Sequence, residues 1–249
     1  MPRFFIRQEQ VEDGRITLRG EDAHHVSRSL RMAVGDPLTV CDMQGKEYTC
    51  QIEGFDEDRA VYAQILQVKE AENEPPCYIR LFQALPKGDK LDTVIQKAVE
   101  CGASEIVPFE SERCVVRMKP EAEARKTERR QKIAAEAAKQ CGRSVLPGVR
   151  STVSFEEMLL LASESELCLF CYEGDGTLPL GRVLRETLGE KGARSVSVII
   201  GSEGGFSLRE VNAAQDAGMR LVGLGKRILR TETASGFVLS CLAFVTELE

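Results

Sequence analysis

The chain has 249 residues, 43% of them hydrophobic, and a formal net charge of −6 at pH 7. That length suits one large domain or a small domain joined to a medium one, with enough apolar side chains for a sizeable core. The acidic balance argues against a surface coated for nonspecific polyanion binding, although residues 111–150 hold eleven Lys/Arg against five Asp/Glu.

The opening MPRFFIRQEQ has no apolar core of a signal peptide, and no window approaches the ~18 uninterrupted apolar residues of a membrane span. The expectation is a cytoplasmic protein with no membrane segment. Five runs then read as β-strands: RFFIRQ, RITLRG, PLTVCDM, EYTCQIEGF and RAVYAQILQV, separated by turn signals such as EDGR and DEDR. A short helix over about Asp22–Met32 interrupts them. Short strands at this spacing predict a small β-barrel over residues 1–70. The charged AENEPP, 71–76, ends in two prolines and reads as a linker to a second domain, 77–249.

Beyond the linker, strands and helices alternate. CYIRLFQAL, EIVPF, ELCLFCY, RSVSVII and MRLVGLG read as strands. KLDTVIQKAVECG, PEAEARKTERRQKIAAEAAKQCG, FEEMLLLA, LGRVLRETLG and LREVNAAQDA read as helices, the first two closed by Gly102 and Gly142 and the last opened by a Ser207/Glu210 capping box and closed by Gly218. This is the pattern of an α/β fold with a mostly parallel sheet, in which ligands bind at the loops leaving the carboxyl ends of strands. Cys168 and Cys171 form a CxxC inside the apolar ELCLFCY. No second pair lies at ligand spacing and the only histidines, His24 and His25, are distant, so the cysteines read as buried strand residues and no metal is expected.

Two loops stand out. IIGSEGGF, Ile199–Phe206, carries Gly201, Gly204 and Gly205, which permit tight turns and close backbone approach to a ligand. LGKRILRTETASGF follows the next strand. Gly223 and Gly225 begin a dinucleotide-like pattern, but Ile228 stands where the third glycine belongs and no later strand carries an acidic residue, so a dinucleotide site is disfavoured. The GxxxxGK[ST] phosphate loop is missing as well. The tail from Phe237 to Leu248 is nearly all apolar, which predicts a helix buried on every side and a homodimer interface at that end.

Taken together, these residues resemble the SPOUT methyltransferases, α/β proteins with a C-terminal trefoil knot, and in particular the bacterial small-subunit ribosomal RNA uridine N3-methyltransferase family. IGSEGGF matches that family's I-G-P-E-G-G-F except for Ser202, and LGKRILRTETA matches L-G-x-R-I-L-R-T-E-T-A throughout. The resemblance extends to KGDKLDTVIQKAVECGASEIVPF, to spaced residues of QKIAAEAAKQCGRSVLPGV and to HHVSRSLRMAVGD in the barrel, which it makes a PUA-like RNA-binding domain. It implies S-adenosyl-L-methionine as cofactor, 16S ribosomal RNA or the small subunit as partner, and a homodimer through the knot domain. Cofactor residues would be Gly201, Ser202, Glu203, Gly204, Gly205, Leu224, Gly225, Ile228, Leu229, Thr231 and Thr233, with Glu173–Thr177 as a third loop. Arg230 is expected to steady the developing uracil anion, with Glu232 orienting it or accepting the N3 proton. Thr231 or Thr233 is expected to cap the last helix. His25, Arg28 and Arg31 in the barrel and Lys87, Lys90, Arg113 and Arg143 in the second domain are the expected RNA contacts, with Arg28 and Arg31 on one helix face.

Overall fold

The computed structural model describes residues 1–56, 60–190 and 192–248, so part of the DEDR turn and Arg59 of the fifth strand run lie outside the described residues. The chain forms two units, Met1–Glu74 with Ala138–Leu146, and Pro75–Ala137 with Pro147–Glu249.

The first unit holds β1 (Arg3–Phe5), β2 (Val11–Glu12), β3 (Arg15–Leu18), β4 (Pro37–Cys41), β5 (Lys46–Phe55) and β6 (Val61–Glu70) in one sheet of order β1-β4-β5-β6-β3-β2. Side chains alternate across a strand, so Ile16, Leu18, Leu38, Val40, Cys50, Ile52, Val61 and Ala63 all reach one core with Phe4 and Ile6. Helix α1 (Gly20–His24) runs into a π-helical turn, His25–Ser29, and adds Ala23 and Val26 to that core. The helix stops short of the expected Met32. The wide turn closes through Leu30 N–H to His25 O at 2.9 Å, and Arg31 then adopts a left-handed φ of 51°. Arg31 lies beyond the helix end, so Arg28 and Arg31 do not share a helix face.

The second unit holds β7 (Tyr78–Ala84), β8 (Glu105–Phe109), β9 (Gly148–Val149), β10 (Leu167–Cys171), β11 (Leu178–Pro179), β12 (Ser195–Ile200) and β13 (Arg220–Gly223) in a parallel sheet of order β11-β13-β10-β12-β7-β8-β9. Its helices are α2 (Lys90–Glu100), α3 (Pro120–Cys141), α4 (Phe155–Ala162), α5 (Leu180–Leu184), α6 (Leu208–Asp216) and α7 (Thr231–Ala243), with π-helical turns extending α5 and α7. The end of α3, from Ala138, belongs to the first unit. Gly102 and Gly218 follow α2 and α6 with φ of 90° and 79°, the left-handed stop a side chain resists. The capping box at α6 is formed on both sides, Ser207 Oγ accepting from Glu210 N–H and Glu210 from Ser207 N–H.

Only β7, β8 and β9 lie side by side in chain order. From β9 at one edge it crosses to β10, and β12 later fills the gap between β10 and β7. Strands β13, β10 and β12 thus lie side by side and parallel, and their three carboxyl-end loops open at the same edge. Cys168 is half-buried and Cys171 buried on β10, where residues three apart point to opposite faces. Burial pushes the Cys171 thiol up. Among the described residues no cluster of three or more His, Cys, Asp or Glu could hold a metal, and no helix is long and apolar enough to cross a membrane. Helix α7 packs on α2 and β12 and buries Val238, Leu239 and Leu242. It is not buried on every side within one chain: Phe237 is 40% exposed and Phe244 51%.

Candidate functional site

A cavity of about 500 Å³ opens at the edge where these three loops meet. Its walls come from the loop after β10 (Tyr172, Glu173, Thr177), the loop after β12 (Gly201, Ser202, Glu203, Gly205) and the loop after β13 (Leu224–Thr231), with Lys90 from α2. Of the expected cofactor residues, Gly204 and Thr233 do not line it, and neither does Glu232 of the expected catalytic pair. Ile228 is 88% exposed, an apolar side chain standing open at the cavity, and Leu224 and Leu229 are half-buried beside it. Among the described residues, no backbone hydrogen bond occupies the N–H and C=O groups of residues 225–229. A polar, unspent main chain beside apolar side chains is a surface suited to a flat, edge-bonding ligand.

The glycines serve packing between the walls. A Cβ on Gly205 would meet Glu173 Oε1 at 2.8 Å, one on Gly204 would meet the Arg113 carbonyl at 3.0 Å, and one on Gly223 would meet Thr177 Oγ1 at 2.8 Å. Gly205 and Gly223 let the loop after β12 and the end of β13 lie against the loop after β10, while Gly204 lets the loop after β12 lie against the segment after β8. Ser202, where the resembled motif has proline, is 8% exposed and its hydroxyl has no hydrogen-bond partner among the described residues.

Beneath the floor lies a polar lock that sequence reasoning missed. Gln83, fully buried at the end of β7, donates from Nε2 to Thr231 Oγ1 at 2.8 Å and to Ala84 O at 3.0 Å. Thr231 in turn donates to Gly201 O at 2.6 Å. The lock ties the end of β7, the glycine loop and the start of α7 together. It also corrects the capping expectation: Arg230 occupies the N-cap of α7 with no side-chain cap, because the Thr231 hydroxyl is spent on Gly201. The one sequence signal was a glutamine inside the apolar run CYIRLFQAL.

The charges around the cavity are unequally satisfied. Lys90 Nζ lies 2.7 Å from Glu203 Oε1 and 3.7 Å from Glu232 Oε2. Glu203 also accepts from Lys87 N–H. Burial alone would raise the Glu203 carboxyl, but the bonds from Lys90 and Lys87 outweigh it and hold it below the usual carboxylate range. The bond to Glu203 raises the Lys90 ammonium above the ordinary lysine value. Arg230 is exposed on the cavity wall and makes no side-chain hydrogen bond or ion pair among the described residues. Glu232 therefore faces Lys90 and not Arg230, the partner expected for it from sequence.

The expected RNA contacts divide. Lys87 and Arg113 are exposed, and Arg113 Nη1 donates to Gly204 O at 3.2 Å. In the first unit Arg28 and Arg31 are exposed, while His25 is half-buried with its ring edge-on to Phe4. Arg143 is a correction. It is only 5% exposed and grips Glu74 through Nε at 2.9 Å and Nη2 at 2.7 Å, while Glu74 also accepts from Ser144 N–H and Val145 N–H. A guanidinium so enclosed has no face left for a phosphate, and a loop arginine's burial leaves no trace in local sequence. Replacing Arg143 with alanine leaves Glu74, among the described residues, with only the Ser144 and Val145 N–H groups, and a loss of about 1.5–3 kcal/mol is expected in urea unfolding, with RNA affinity of the folded protein keeping its salt dependence.

Residues 73–243 match the profile of an RNA methyltransferase domain, and residues 18–66 that of an RNA methyltransferase PUA domain. The chain belongs to the RNA methyltransferase family. As a family member it carries a PUA-like domain ahead of an α/β methyltransferase domain of the SPOUT class. It is 34% identical over 254 residues to ribosomal RNA small subunit methyltransferase E of Bacillus subtilis, with 100% of this chain and 98% of the relative covered. To the Synechocystis protein of the same name it is 32% identical, with 93% and 74% covered. The crystal structure of ribosomal RNA small subunit methyltransferase E from Neisseria gonorrhoeae, bound to S-adenosyl methionine, superposes with a TM-score of 0.85 at 30% identity, covering 98% of each chain.

Proposed function

We propose that this chain transfers a methyl group from S-adenosylmethionine to N3 of a uridine in 16S ribosomal RNA. The observation that carries this reading is an unpaired guanidinium, Arg230, on the wall of a three-loop cavity in a member of the RNA methyltransferase family. The cavity falls within the ~300–1,000 Å³ of small-ligand sites. Its lining fits the cofactor: Leu224, Ile228 and Leu229 cover a purine, the free main chain of residues 225–229 bonds its edge, and Gly201, Ser202, Glu203, Gly205 and Thr231 close the other side. When bound, the cofactor supplies an electrophilic methyl on a sulfonium. Arg230 offers its planar, permanent charge to a uracil carbonyl, where negative charge grows as N3 attacks.

In this reading the domain at 1–70 grips RNA through His25, Arg28 and Arg31, and the domain at 77–249, beyond the 71–76 linker, adds Lys87 and Arg113. The three loops form a trefoil knot, and the open Phe237 of α7 and Phe244 of the π-helical turn after it seat a second copy of the chain, giving a cytoplasmic homodimer acting on the small ribosomal subunit. The test is transfer of labelled methyl from S-adenosylmethionine to unmodified small-subunit RNA or immature particles. Labelled RNA is expected. RNA bound without label would make the chain a noncatalytic RNA-binding or assembly protein.

A further inference from the structure

Lysine at the first position of α2 sits at the wrong end of a helix, because a cation opposes the positive end of the macrodipole. The preceding Asp89 offers no side-chain cap to offset this. Side chains that break a local rule concentrate where function requires them. Lys90 lines the cavity, yet its Nζ is held by two carboxylates from different elements, Glu203 of the loop after β12 at 2.7 Å and Glu232 of the first turn of α7 at 3.7 Å. Glu232 Oε2 is buried and has no hydrogen-bond partner among the described residues, so the ion pair with Lys90 is its compensation. An ammonium carries three N–H donors. Glu203 takes one and Glu232 lies beyond hydrogen-bond range, so donors remain for a ligand in the cavity.

We infer that Lys90 is a second catalytic cation of the methyl-transfer site, held against the cavity by Glu203 and Glu232, and that it faces the reacting pyrimidine together with Arg230. This rests on the proposed uridine methylation. The chemistry calls for two cations. Loss of the N3 proton spreads negative charge over N3 and both flanking carbonyl oxygens, and one guanidinium on one oxygen leaves the other unserved. Lys90 comes from α2 and Arg230 from the loop after β13, so they approach from different elements. The N3–H bond breaks with its proton passing to water, the N3 electron pair forms the bond to the methyl carbon, and the C–S electrons return to sulfur as S-adenosylhomocysteine leaves. Glu232 then serves to fix Lys90, the orienting role expected of it, but toward a different cation. The other charged groups lining the cavity are Glu173, Lys226 and Arg227.

The test is Lys90→Met beside Lys90→Arg in single-turnover methylation of small-subunit RNA, with thermal unfolding and S-adenosylmethionine binding confirming that each variant is folded. Lys87 N–H still holds Glu203 in both, so cofactor affinity is expected within about threefold of the parent. Lys90→Met is expected to slow transfer about 10²-fold, the usual loss for one donor at a developing anion. RNA affinity and its salt slope stay unchanged, and the rate keeps climbing to higher pH because N3 is less readily deprotonated. Lys90→Arg recovers at least a tenth of the rate. Weaker RNA binding with a shallower salt slope and an unchanged transfer rate would make Lys90 a phosphate grip and overturn the inference. An unaltered variant would make it a bystander. A parent protein that transfers nothing would overturn both this inference and the function it rests on, whereas normal transfer by parent and Lys90→Met alike overturns this inference alone.

Discussion

Arg230→Ala is expected to lower the rate of methyl transfer by about 10²–10³-fold while leaving folding and cofactor affinity nearly unchanged. The separation follows from what Arg230 does in the folded chain. Its backbone sits at the N-cap of α7, where its carbonyl accepts from Thr233 N–H and Ala234 N–H at 2.9 and 2.8 Å. Alanine keeps both bonds. Its side chain supplies no cap and no ion pair among the described residues, so truncation removes nothing the fold uses. A surface substitution of this kind falls within about 0.5 kcal/mol in stability. The interaction it does remove is one made as charge develops on the substrate, so kcat falls with little change in KM. Single-turnover rates with isothermal titration of S-adenosylmethionine read both halves. A rate within threefold of the parent would remove Arg230 from the chemistry.

Gln83→Glu is expected to damage the site from below, through an almost isosteric change. The amide nitrogen of Gln83 points at the carbonyls of Ala84 and Gly201 and at the Thr231 hydroxyl, with distances of 3.0, 3.4 and 2.8 Å. A carboxylate there would oppose two carbonyl oxygens in a position with no solvent exposure. A buried charge without a partner costs on the order of 3 kcal/mol or more. Relief comes by taking up a proton, at a cost to the folded state at neutral pH, or by parting the end of β7 from the glycine loop and the start of α7. Both stability and S-adenosylmethionine affinity should therefore fall together, the latter by at least tenfold. Gln83→Leu, which buries no charge and also removes the unpartnered Oε1, should be milder on stability. Equal losses for the two variants would deny that the polarity of this position matters.

The architecture was legible wherever it rested on local chemistry. Period-two alternation in β3 to β6, the Ser207/Glu210 box and the glycines after α2 and α6 each act within a few residues. The two-residue strands β2, β9 and β11 were not legible, because no periodicity exists over two positions. The helix expected over about Asp22–Met32 lies at 20–29, starting two residues earlier and ending three residues earlier, because a π-helical turn that ends it leaves no compositional mark. In the site, the two loops and their apolar and charged residues could be read from sequence. Their pairings could not. Glu232 meets Lys90 across 142 positions of chain and Thr231 meets Gln83 across 148, and these residues come together because β12 pairs with β7 and α7 packs back on α2 and β12. Thr231 has the composition of a cap, yet a carbonyl on the neighbouring loop claims its hydroxyl first. Arg143 has the composition of a phosphate contact, yet Glu74 encloses it.

The measurement that bears most directly on the account is nucleoside mass spectrometry of small-subunit RNA after incubation with the protein and S-adenosylmethionine. A single new product is expected, uridine methylated at N3, formed by the parent protein and lost in Arg230→Ala. A methyl group on a ribose hydroxyl or on a base carbon would contradict it, since neither reaction passes through an anion spread between two uracil carbonyls.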